Sequence, residues 1–150
     1  MFEVHASDGD FCLEKLSFRT KDNKATNVKV YFKLGPYRNF PKGGRNRNDW
    51  GRPAFIGVPY RITGGYREVK FREPLVIPGG GTGSIYLESK KDVMFVRGRT
   101  EFARADGSKE LGISTGSAFK KPFGKKSMNA DFVGVMTYHT YRKAKRVTLK

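Results

Sequence analysis

Apolar and polar residues alternate with a period of two along most of this chain. Phe2 and Val4 alternate in the first segment; Val28, Val30, Phe32 and Leu34 alternate against Lys29, Tyr31 and Lys33; Ile85 and Leu87 oppose Tyr86 and Glu88; and Phe132, Gly134, Met136 and Tyr138 oppose Val133, Val135 and Thr137. Successive side chains of a strand point to opposite faces, so each segment is expected as a strand with one face on a core and the other in water. Cys12 to Arg19, Ala54 to Ile62, Arg67 to Arg72, Val93 to Arg97 and Leu111 to Ser114 are further expected strands. Asp8-Gly9, Gly64-Gly65, Pro78-Gly79-Gly80-Gly81 and Asp106-Gly107 separate them with residues that tolerate positive φ. No window carries a helical period, and 18 Gly with 7 Pro interrupt the places where a long helix could start. About nine or ten short strands with no helix between them predict an all-β fold, an antiparallel β-sandwich of jelly-roll-like kind.

Two stretches break the alternation. Residues 35–53 are rich in Gly, Asn, Pro and Arg, and residues 117–129 are rich in Lys around Pro122-Phe123-Gly124; both are expected as long basic loops. The expected organisation is one sandwich domain over 1–141 followed by a basic arm over 142–150. A length of 150 residues with 37% hydrophobic and 13% aromatic content suits one domain with a real core.

The formal net charge of +16 is unevenly placed. Residues 38–52 carry a net +4, residues 120–126 another +4, and residues 142–150 a net +5, leaving +3 for the other 119. Polyanion binding depends on such clustering more than on the total. The cations expected to do it are Arg38, Lys42, Arg45, Arg47 and Arg52 in the first stretch, Lys120, Lys121, Lys125 and Lys126 in the second, and Arg142, Lys143, Lys145 and Arg146 in the arm.

Catalytic chemistry finds few candidates. His5 and His139 both fall within alternating strands and read as sheet-face histidines, and no His-Glu-x-x-His is present. Glu68, Glu73, Glu88 and Glu101 could meet in space as paired carboxylates, but no pair is singled out. Asp8-Gly9-Asp10 suggests calcium, yet the twelfth position from Asp8 is Arg19, where an EF-hand needs a bidentate Glu. Gly79 to Ser84 lacks the Lys of a phosphate-binding loop, and a strand-like Ile85-Tyr86-Leu87-Glu88 follows it. Cys12, the single cysteine, allows neither an internal disulfide nor a Cys-based zinc site. The expectation is a non-enzyme without metal or cofactor.

The cations leave the anionic partner open: nucleic acid, an acidic protein surface or a sulfated glycan. Tyr37, Phe40 and Trp50 among the arginines suggest single-strand binding, in which bases stack on aromatic rings. Tyr37, Trp50, Tyr60 and Tyr66 are the candidates for stacking on a base or a sugar, the latter in a lectin-like module for acidic or cell-wall glycans. No run approaches the roughly 18 apolar residues of a membrane span, and the first residues lack the pattern of a signal peptide. Membrane insertion is therefore not expected, and a lone free cysteine suits an intracellular protein or a virion. The chain reads equally as a complete small protein or as a domain with sequence before Met1.

The order of short motifs carries a resemblance. Met1-Phe2-Glu3-Val4, Leu16-Ser17-Phe18-Arg19, Val28 to Phe32, Trp50, Val69-Lys70-Phe71, Pro74 to Gly80, Ser84 to Leu87, Leu111 to Gly116, Pro122-Phe123-Gly124 and Phe132 to Tyr138 together resemble a poorly characterised all-β module that recurs in diatom and other marine algal proteins. A weaker similarity runs to the PHR-type β-sandwich. The first resemblance spans nearly the whole chain and implies a sandwich; it brings no catalytic residues. The module is usually less basic, and here the cations fall in its variable loops and after its last strand. The resulting expectation is a structural or binding module that docks through basic loops and tail onto anionic neighbours in a multi-subunit assembly, for example a virion or ribonucleoprotein component.

Overall fold

The computed structural model describes residues 1–20, 26–90, 93, 95–97, 104–107 and 111–141, with the backbone alone for 95–97 and 104–107. The basic arm 142–150 lies outside the described residues. The described strands are β1 (Phe2–Ala6), β2 (Asp10–Phe18), β3 (Val28–Leu34), β4 (Phe55–Gly57), β5 (Tyr60–Arg61), β6 (Arg67–Ile77), β7 (Thr82–Ser89), β8 (Phe95–Arg97), β9 (Arg104–Gly107), β10 (Leu111–Ser114), β11 (Gly116–Phe119), β12 (Lys126–Phe132) and β13 (Gly134–Tyr141). Three short 3-10 turns are the only helical pieces among the described residues.

Every described strand pair is antiparallel, in a six-stranded sheet ordered β4-β3-β7-β1-β10-β9, a four-stranded sheet ordered β13-β2-β6-β5 and a three-stranded sheet ordered β11-β12-β8. The fold is an antiparallel β-sandwich. The chain passes between the two larger sheets at β1 to β2, β2 to β3, β4 to β5 and β6 to β7, the crossing habit of jelly-roll-like sandwiches.

The period-two pattern sets the core directly. Phe2, Val4, Val28, Val30 and Ile85 from the first sheet meet Phe11, Leu13, Leu16, Val69 and Ile77 from the second in one buried cluster. Phe132 of β12 closes one end, stacked on Phe2 at 4.6 Å. Pro74, which has no amide hydrogen to give a ladder, sits where residues 71–74 of β6 oppose only Glu14, between the pairs Lys15 with Lys70 and Leu13 with Leu75.

Four expectations change. The run Phe132 to Tyr138 is not one strand: β12 ends at Phe132 and β13 starts at Gly134 in another sheet. The stretch 117–129 is a β-hairpin, with only 120–125 left as a turn between β11 and β12. The run Ala54 to Ile62 is two short edge strands, β4 and β5, broken at Val58-Pro59 and belonging to different sheets. Asp106-Gly107 ends β9 and pairs with β10 instead of forming the turn itself.

Candidate anion-binding face

The outward face of β3, β7 and β1 was expected to be wet, and over its central part it is not. Tyr31 and Tyr86 face each other across β3 and β7 on the side away from the core, and both are buried. Their cover is the two basic segments.

Residues 35–53 fold around one carboxylate. Buried Asp49 accepts the amides of Lys42, at 3.2 Å, and Gly44, at 2.9 Å, while its carbonyl accepts Lys33 Nζ at 2.8 Å. Trp50 Nε1 donates to the Gly44 carbonyl at 2.8 Å. Gly44 is at φ 73, and a Cβ there would press on Tyr37 and Trp50, so the tight turn requires glycine. This wiring drives Tyr37, Phe40 and Trp50 inward against Tyr86 and Tyr31. The same turns leave Arg38, Lys42, Arg45, Arg47 and Arg52 exposed.

The turn 120–125 docks on the same tyrosine. Phe123 takes φ 54, a left-handed conformation rare for a bulky residue. Two contacts hold it there: its amide donates to the Tyr86 hydroxyl at 2.8 Å, and its ring stacks on Tyr86 at 4.5 Å and 14°. The Arg47 guanidinium lies over the Phe123 ring at 5.4 Å and reaches Glu88 at 3.8 Å, and Tyr31 donates to Glu88 at 3.3 Å. The two basic segments therefore meet, and Lys120, Lys121 and Lys125 are exposed beside the arginines, with Lys126 half-buried.

Burial pushes the Tyr31 and Tyr86 hydroxyls above the usual tyrosine range. At Tyr31 the nearby Glu88 charge adds to the effect, and at Tyr86 the Phe123 amide opposes it.

Two hollows open beside this junction. One, of about 170 Å³, lies between β7 and the β11–β12 hairpin and is walled by Leu87, Phe119, Phe132, Tyr86 and Asp131. The other, of about 330 Å³, is lined by Lys29, Ile56, Lys90, Lys120 and Lys121. Glu88, Ser89, Lys90, Lys120 and Pro122 border both, so they form one groove. Among the described residues no carboxylate pairs with Lys29, Lys90, Lys120 or Lys121. Lys29 and Lys90 were not expected at the site. Lys29 lies on β3 and Lys90 directly follows β7, far apart in sequence, and no basic cluster of the kind seen in 38–52 or 120–126 marks them.

The expected stacking residues divide. Tyr37 and Trp50, 1% and 4% exposed, spend their ring faces on protein neighbours and cannot also stack on a ligand. Tyr60, 73% exposed, is on the edge strand β5 of the four-stranded sheet, and Tyr66 is half-buried under the Arg19 guanidinium at 4.3 Å. The aromatic rings lining the groove are Phe2, Tyr86, Phe119 and Phe132; Phe2 and Tyr86 are buried, so Phe119 and Phe132 offer the accessible ring surface. Arg142, Lys143, Lys145 and Arg146 lie outside the described residues.

The remaining reactive side chains take sheet positions. His5 bonds Thr82 Oγ1 through Nδ1 at 2.9 Å, and its Nε2 faces both Ser114 Oγ at 2.5 Å and Glu3 at 3.8 Å. In a serine-hydrolase triad the acid and the serine engage opposite ring nitrogens, which this grouping does not do. His139 contacts Glu14 at 2.7 Å across β13 and β2. Cys12 is buried and its thiol is raised by that burial and by Asp10 and Glu14. Among the described residues no three His, Cys, Asp or Glu side chains converge as metal ligands would, and no helix is long and apolar enough to cross a membrane.

Comparison with known proteins adds no relative. No family model matches the chain, and neither a curated protein nor a solved structure matches it.

Proposed function

We propose that this protein is a non-enzymatic binding module that docks electrostatically onto an anionic neighbour within a larger assembly, such as a virion or ribonucleoprotein particle. The observation that supports this most is the stack of Arg47 on Phe123 on Tyr86. It fastens the two basic segments to one face of a rigid sheet and so converts two separate charge clusters into one cationic surface. A preorganised surface holds its cations in place before the partner arrives and loses less entropy on binding. Concentrated positive charge also raises the encounter rate with a polyanion. The burial of Trp50 and Tyr37 favours this reading over a lectin for neutral glycans, because the two rings best suited to sugar stacking are engaged internally. The arm 142–150, with five cations and no acid, would add to the same attraction.

Heparin-column retention of the purified chain, with sizing of its complexes, tests the proposal. Retention well above that of a neutral protein, reduced by Arg45→Glu with Arg47→Glu or by Lys120→Glu with Lys121→Glu, is the expected result. A monomer that binds no polyanion at low salt overturns it.

A further inference from the structure

We infer that the groove beside Tyr86 is a single-stranded nucleic-acid site, in which one pyrimidine-sized base enters the smaller hollow while its flanking phosphates lie along Lys29, Lys90, Lys120 and Lys121. The inference rests on the docking reading above and names its ligand.

Size is the first argument. An enclosed apolar cavity of about 150 Å³ takes one benzene-sized ring, and the half-open hollow between β7 and the β11–β12 hairpin, with both polar and apolar walls, measures about 170 Å³. That volume admits one flat six-membered ring with its polar edge toward solvent.

Lining is the second. Leu87, Phe119 and Phe132 give apolar and aromatic walls, the kind on which a base face packs, and base-on-aromatic stacking tolerates any base. Asp131, whose carboxylate accepts the Thr115 hydroxyl, lies on the same wall as an acceptor suited to a base N–H. A carboxylate in the wall would repel an inorganic anion or a sulfate group, so the hollow suits the base and the phosphates belong outside.

Charge supplies the third. The adjoining hollow, of about 330 Å³, carries Lys29, Lys90, Lys120 and Lys121 against one carboxylate, Glu88, which Arg47 and the Tyr31 hydroxyl engage, and Lys90 and Lys120 border both hollows. A nucleotide strand is a polyanion with an aromatic ring at every unit, and it alone among the anionic partners considered asks for both features within one groove. A sulfated glycan would use the lysines and leave the apolar hollow empty.

The test uses the full chain with two fluorescein-labelled probes of equal length and charge, a 12-mer oligouridylate and its abasic counterpart, alongside heparin. The oligouridylate should bind about tenfold more tightly than the abasic strand at the same salt, the difference expected of roughly one stacked base. Ala118→Trp, which fills the hollow, should abolish that difference while heparin retention persists. Because that variant could disturb β11, a second measurement uses the unmodified chain: an oligouridylate carrying 4-thiouridine should photocrosslink to Phe119 or Phe132. Equal affinity for the two oligomers, or crosslinks confined to other residues, overturns the inference and leaves electrostatic docking standing. Binding of none of the three probes overturns the docking reading with it.

Discussion

Tyr86→Phe separates the hydroxyl of the central tyrosine from its ring. The substitution keeps the stack on Phe123 and the contacts with Trp50 and Phe119, at 5.7 Å each, and removes only the acceptor of the Phe123 amide. A typical hydrogen bond contributes about 0.5–1.5 kcal/mol net, and a buried donor left without a partner costs about 1–3. The Phe123–Tyr86 bond is part-buried, so the loss should fall where those ranges overlap, about 1–1.5 kcal/mol. With a urea m-value of about 1–3 kcal/mol/M, the unfolding midpoint should fall by roughly 0.3–1.5 M if the loss reaches the global transition. Trp50, the single tryptophan and a direct neighbour of Tyr86, reports that transition by fluorescence. The local reading is sharper. Hydrogen exchange at the Phe123 amide should be slow in the parent and fast in the variant, because the turn 120–125 loses the bond that holds it at φ 54. Heparin retention should fall as well, since Lys120 and Lys121 are then less fixed beside Arg47. An unchanged midpoint with the Phe123 amide still protected would refute the claim that Tyr86 joins the two basic segments.

Asp49→Ala removes the buried acceptor of the Lys42 and Gly44 amides and should destabilise the protein by about 2–4 kcal/mol, read by the same denaturation curve, with Trp50 emission shifting to the red as its enclosure loosens. Gly116→Ala would drive a Cβ into the Met1 carbonyl and should disrupt the reciprocal backbone bonds between Met1 and Ser117, lowering the thermal midpoint more than any loop charge variant does. Tyr31 and Tyr86 ionise above their ordinary value of 10.0 when folded, and Cys12 above its ordinary 9.0, so the stability each holds is fully present below its ordinary value and is lost as pH rises through the raised one; unfolding monitored from pH 8 upward should stay level to about pH 9, begin to fall with Cys12, and fall further above pH 10, that later part less steeply in Tyr86→Phe.

The sandwich was legible in the sequence because its core obeys one rule. Each inward residue of β1, β3 and β7 lies two positions from the next, and burial of one face makes the register unambiguous. The same rule misplaced the roof over that sheet. Nothing local to Tyr31 or Tyr86 distinguishes an outward tyrosine in water from one covered by a loop 35–53 that folds back on it. The segment from Phe132 to Tyr138 shows a different limit: its alternation reads as one strand, yet the chain breaks at Val133 and sends β12 and β13 to separate sheets. Gly134 marks the break, since any Cβ there would meet the Ser17 carbonyl and the Phe132 ring. At the candidate site the arginines and lysines of 38–52 and 120–126 were visible as clusters, whereas Lys29 and Lys90 join them only through the β3–β7 ladder and the groove that borders it. Trp50 and Tyr37 were marked for stacking because aromatic residues among arginines suggest it. Their rings instead bind the loop to the sheet, and Phe119 and Phe132, both half-buried, carry the accessible aromatic surface of the groove.

The salt dependence of oligouridylate binding tests the central claim most directly. Each phosphate neutralised on a single strand contributes a slope of about −0.7 in log Kobs against log salt, so the four groove lysines predict a slope of about −3 or steeper once the arm and loop arginines add to it, and Lys120→Glu with Lys121→Glu should lower its magnitude by at least about 1.4. A slope near zero, or a slope the double variant leaves unchanged, would contradict the assignment of this face to an anionic partner.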